Sequence, residues 1–124
     1  DTPLLRLQRF VKIILNEADN VTRFGCPMGS LNTELGKSQI DLRNISRQQF
    51  DVFKTWLCKQ FILLSDNELD NRQAEQSAMH LLVHTQGIAV MSQVYSDKSI
   101  ITEETKKIEQ WLMTLKSDGI AGME

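Results

Sequence analysis

Proline and cysteine are scarce, with two of each in 124 residues, and aromatic residues make up only 6%. Two cysteines, Cys26 and Cys58, are too few for a disulfide-stapled secreted scaffold and point to a reducing, cytoplasmic setting. An excess of one charge is missing as well: 14 Lys and Arg stand against 16 Asp and Glu, a net charge of −2. A protein that coats nucleic acid needs a clustered basic surface, which this balance does not supply. No apolar run approaches the ~20 residues of a membrane span and no cleavable leader is visible, so no membrane partner is expected. Strand signals are absent: there is no sustained alternation, and no Asn-Gly or Asp-Gly pair joins two alternating runs. A glycine-rich phosphate loop, the dinucleotide fingerprint and a strained nucleophile turn are missing too. Their absence argues against an enzyme and against a bound cofactor.

What remains is a chain with 41% apolar and 24% charged residues, long enough for one domain with its own core. Both prolines and three of the six glycines lie before residue 37, and neither type occurs from Lys37 to Gln86. The expectation is an all-α domain of five helices. Thr2-Pro3 pairs a cap with a proline suited to the first helical position. The stripe Leu4, Leu7, Phe10, Val11, Ile14, Leu15 and Ala18 follows, with Arg9, Lys12 and Asn16 on the other side, so the first helix should run to near Asn20. Arg23 to Pro27 reads as a turn, and a short helix from about Met28 to Leu35 stops at Gly36. A third helix starts between Leu42 and Arg47, where Ser46 and Gln49 have capping-box spacing, although Asp41 could cap an earlier start. Its expected buried stripe is Phe50, Phe53, Trp56, Leu57 and Leu64, with Gln60 in its middle. Asp70 should cap a fourth helix ending near Tyr95, and Thr102 a fifth carrying Ile108, Trp111, Leu112 and Leu115 on one face. Ser117-Asp118-Gly119 ends it, leaving a frayed tail over 119–124.

The fourth helix is apolar on two sides. At about 100° per residue, Ala74, Ala78, Leu81, Thr85 and Ile88 line one side. Met79, Val83, Gly87, Val90 and Val94 line nearly the opposite one. Such a helix either threads the centre of a monomer or packs one side on its own core and offers the other to a second molecule. Gly87 in mid-helix, about 1 kcal/mol worse than Ala, fits close helix approach at an interface. Charge divides along the chain, with nine basic and six acidic residues over 1–62 against five and ten over 63–124. Neither part holds a basic run, so the asymmetry reads as solvated helix faces.

The segment Gly25-Cys26-Pro27-Met28-Gly29-Ser30-Leu31-Asn32-Thr33-Glu34-Leu35 resembles the Gly-Cys-Pro-x-Gly-x-Leu-x-x-Glu-Leu stretch of many TetR/AcrR-family transcriptional regulators. The order of the remaining helices agrees with it: a long helix with a Trp, an acidic cap, a helix with Gln86-Gly87, then an amphipathic helix. The resemblance spans roughly residues 3–116 and concerns only the C-terminal half of such proteins. The chain opens on Asp1 rather than on methionine, and the helix-turn-helix head is expected to lie outside it. The resemblance implies an effector-binding and dimerisation domain over 1–118. Its last two helices would form an intersubunit four-helix bundle, and a bound inducer would control DNA binding by the head, most often as repression.

On that reading the ligand pocket is lined by Phe10, Ile14, Met28, Leu31, Phe53, Trp56, Gln60, Leu81 and His84. The effector is a small, mostly apolar or aromatic molecule, with Gln60 and His84 setting its polarity. The homodimer would use Val83, Gly87, Val90, Met91 and Val94 with Ile108, Trp111, Leu112 and Leu115. His80 and His84, four apart, could share a metal, but no further ligand accompanies them, so no metal site is expected. A polar contact in the pocket or an ordinary core histidine are the other readings. A buried Gln60 must bond backbone, bond ligand or turn outward; the ligand is the expectation. Cys26, near Arg23, is a candidate for redox sensing, beside the plainer reading of a small residue packed under the turn. The competing function is a helical protein-interaction module with no small ligand.

Overall fold

The structure is a computed structural model that describes residues 2–16, 18–24 and 40–116. Every element among them is a helix: α1 (Pro3–Asn16), α2 (Ala18–Phe24), α3 (Ile40–Leu64), α4 (Asn71–Tyr95) and α5 (Ser99–Leu115). The fold is all-α, as expected. The five are not the expected five, because the first predicted helix is two. The short helix at Met28–Leu35, the tail at 119–124 and Cys26 lie outside the described residues.

Thr2 caps α1 as expected, its hydroxyl accepting from the Leu5 N–H at 3.1 Å. Leu7 and Val11 are fully buried, while Arg9, Lys12 and Asn16 are exposed. The helix ends at Asn16 instead of continuing to Asn20, and α2 carries on through Phe24 into the predicted turn. The physical reason is packing: α1 lies on α3 and α5, whereas α2 lies on α4. One straight rod could not serve both sets of partners.

α3 begins at Ile40, earlier than the Leu42 to Arg47 window. It stops without glycine or proline. Asp66 and Asn67 take left-handed φ values of 54° and 65°, a conformation these short polar residues tolerate. The Asn67 N–H reaches back to the Ile62 carbonyl at 2.9 Å, closing the helix end. The fully buried Ser65 fixes the corner, its Oγ donating to the Ile62 carbonyl and accepting from the Leu69 N–H.

α4 starts as predicted. Asp70 accepts from the Gln73 N–H at 2.8 Å, and the Gln73 side chain accepts from the Asp70 N–H at 3.0 Å, a complete capping box. At its far end Ser96 turns left-handed with φ 50°. The fifth helix then starts at Ser99 rather than after Thr102, because Asp97 accepts from the Ser99 N–H at 2.9 Å and supplies the start. Hydrogen bonds from the Ser99 hydroxyl, and then from its N–H, hold the Asp97 carboxyl below its ordinary range.

α1, α3, α4 and α5 form a closed ring, each packed on two neighbours, with α2 laid on α4. The core fills the ring. Leu7 and Val11 meet Leu57 and Phe61 of α3, Ala78 and Leu81 of α4, and Ile101 and Ile108 of α5. Phe61, absent from the expected stripe, is the largest side chain fully enclosed. The buried hydroxyls of Thr85, Ser92 and Thr105 donate to carbonyls one turn back in their own helices, so they enter the core without an orphaned donor. Among the described residues no helix is long and apolar enough to cross a membrane.

Candidate functional site

Two places hold the predicted site residues, and they lie on different seams. The first is between α1 and α3. Phe10 stands with its ring centroid 6.0 Å from Phe53 and 6.4 Å from Trp56, both tilted against it. Phe53 and Trp56 were expected to be buried, yet they are 39% and 38% exposed. Leu57 and Leu64 of the expected stripe are buried, and Phe61, one turn on from Leu57, joins them in the apolar centre of α3. Beneath this open aromatic cluster Gln60 is buried, and its Oε1 accepts from the Arg6 Nε at 2.6 Å. Gln60 thus has a partner inside the chain, a charge-assisted bond across α1 and α3, and needs no ligand to satisfy that oxygen. Sequence reasoning missed Arg6, whose signal is its place one turn before Phe10.

The second place is the seam of α4 and α5. His84 Nε2 lies 3.8 Å from a Glu104 oxygen, and Lys107 holds the same oxygen at 3.2 Å. His80 stands edge-on to Trp111, with centroids 4.7 Å apart, and 5.9 Å from the His84 ring. His84 thus meets α5 rather than the aromatic cluster. Leu81 is fully buried and packs the core, so it is not placed to line an open pocket. The side chain of Ile14, and Met28 and Leu31 altogether, lie outside the described residues.

Of the expected interface set, Val83, Gly87, Val90, Met91 and Val94 share the outer side of α4 and are exposed, Val83 at 62% and Val94 at 67%. Among the described residues the helix is a wall of the ring rather than its central rod. Trp111 and Leu115 are half-buried. Ile108 and Leu112 face inward and are fully enclosed by their own chain, a correction to the expected set, because the inward stripe of α5 runs Ile101, Thr105, Ile108 and Leu112.

An apolar groove of about 360 Å³ runs between α3 and α4. Phe50, Met79, Leu82 and Val83 line it together with Asp51, Lys54 and Gln86. A polar cleft lies where α2 meets the α4–α5 corner, crossed by the ion pair of Lys98 with Asp19 at 2.7 Å. Cys58 borders a third hollow with Lys54 and Glu75. Burial, and then the Glu75 carboxylate, push its thiol up from the ordinary value. The groove escaped the sequence reading because its two walls come from different helices.

No protein-family model matches the chain, and no curated protein matches it either.

Proposed function

We propose that this chain is the effector-sensing, dimerising domain of a one-component transcriptional regulator of the TetR/AcrR type. The observation that carries the reading is α4, whose inner side packs the core while its outer side is apolar and open. A helix of that kind needs a second molecule, and a second copy through α4 and the adjoining flank of α5 is the simplest. The resemblance of Gly25 to Leu35 and the order of the helices support the same assignment. The effector is a small, mostly apolar or aromatic molecule stacked against Phe10, Phe53 and Trp56, with the Gln60–Arg6 pair as the polar floor. Its binding biases the spacing of helix-turn-helix heads outside this chain, and the usual output is repression in the cytoplasm.

Thermal melts against a panel of apolar and aromatic compounds test the pocket. Hits should raise the melting temperature of the chain, and Trp56→Ala should abolish the shift while leaving the fold intact by circular dichroism. Flat melts across the panel favour a second reading, a helical protein-interaction module without a small ligand. That reading draws on the engagement of Gln60 with Arg6, and of His84 with α5, inside the chain.

A further inference from the structure

Arg6 and Phe10 lie one turn apart on α1, and Gln60 and Trp56 lie one turn apart on α3. Arg6 bonds Gln60 while Phe10 stands against Trp56 and Phe53, so the two helices run antiparallel. Their seam is therefore laid in two layers, one charged and one aromatic. The layers make different demands on a molecule that covers both. The rings of Phe53 and Trp56, each more than a third exposed, suit a flat apolar partner. The half-buried Arg6 carries a fixed positive charge, and any water taken from it has to be replaced by a group that can meet that charge.

The bond to Gln60 sets how the charge is met. Oε1 of the buried Gln60 accepts at Nε, at 2.6 Å, so the guanidinium is held from its stem end. An amide oxygen is neutral, and Gln60 positions the cation without cancelling its charge. A carboxylate pairs with a guanidinium through two parallel N–H groups. With Nε engaged by Gln60, that pair is the two terminal nitrogens of the planar fork.

We infer that the effector is an aromatic carboxylate, its ring lying on Trp56 and Phe53 beside Phe10 and its carboxylate paired with the terminal nitrogens of Arg6. The inference rests on the effector reading above and narrows it from an apolar or aromatic molecule to an aromatic acid. One helical turn, about 5.4 Å, separates the two layers, a span that an aryl carboxylate bridges without a long linker. The fork of an arginine matches a planar carboxylate in a way the point charge of a lysine does not.

Isothermal titration of the chain with 2-naphthoate and its uncharged isostere 2-naphthamide, and with phenylacetate and phenylacetamide, tests the class. Each acid should bind about tenfold tighter than its amide, or more, as expected for hydrogen bonds to a charged group. Arg6→Gln should bring the affinity of each acid down to that of its amide. Arg6→Lys keeps the charge but loses the fork, and should lie between the two. Circular dichroism checks that the variants fold, and if Arg6→Gln does not, the acid–amide ratio in the unaltered chain and in Arg6→Lys decides. Acids that bind no better than their amides overturn the inference, as does an acid preference that survives Arg6→Gln in a folded protein. Binding confined to uncharged compounds removes the inference alone. No binding by either pair, together with flat melts across the wider panel, removes the effector reading with it.

Discussion

Gln60 and Cys58 sit two residues apart in α3 on different sides, and their surroundings give them opposite characters. The amide is buried and satisfied by Arg6 across the α1–α3 seam, so an apolar stripe tolerates it without an orphaned acceptor. The thiol is half-buried beside Glu75, and both effects disfavour its thiolate. Since the thiolate is the nucleophile, iodoacetamide near neutral pH should label Cys58 several-fold more slowly than free cysteine. Glu75→Gln should speed that labelling, read peptide by peptide in a mass spectrometer so that Cys26 does not interfere. Equal rates in the two proteins would mean that Glu75 does not govern this thiol. The oddness of Gln60 was legible from its place in the heptad-like stripe. Its partner was not, because Arg6 lies 54 positions away in the chain. Nothing in local spacing connects the two.

At the scale of elements, helix ends were read well where a side chain caps its own helix and poorly where packing ends it. Asp70 with Gln73 is a local signal, and it stands in the structure as predicted. Asp70→Ala should lower the unfolding free energy by about 1 kcal/mol in urea melts. Thr102, the expected cap of the last helix, lies inside α5 and is exposed. Thr102→Ala should therefore shift stability by no more than about 0.5 kcal/mol. A reversal of that order would restore Thr102 as the cap. The break after Asn16 is of the other kind, since α1 and α2 separate to reach different neighbours. The stop at Asp66-Asn67 carried a faint signal, two residues that tolerate the left-handed region, which a search for glycine and proline passes over.

In the whole molecule, a ring of four helices gives each helix an inward stripe, and α2 covers part of one outward side, that of α4. The inward and outward positions should respond in opposite ways. Ile108→Ala should cost about 2–5 kcal/mol in chemical unfolding and leave association unchanged, because that side chain is enclosed by its own chain. Val83→Asp should leave the unfolding of the isolated chain within about 0.5 kcal/mol and abolish the dimer in sedimentation. An unchanged dimer in Val83→Asp would detach α4 from the proposed interface. Periodicity and capping chemistry by themselves determined the all-α class, the extent of α4 and its two apolar sides, since those depend on residues a few positions apart. Only the tertiary structure decided which apolar residues point inward. It turned Phe53 and Trp56 to the rim, put Phe61 in the centre, enclosed Ile108 and Leu112, and opened the groove between α3 and α4. The physical reason is that a helix of 25 residues presents several apolar strips, and the neighbours it meets in the ring select which one is buried.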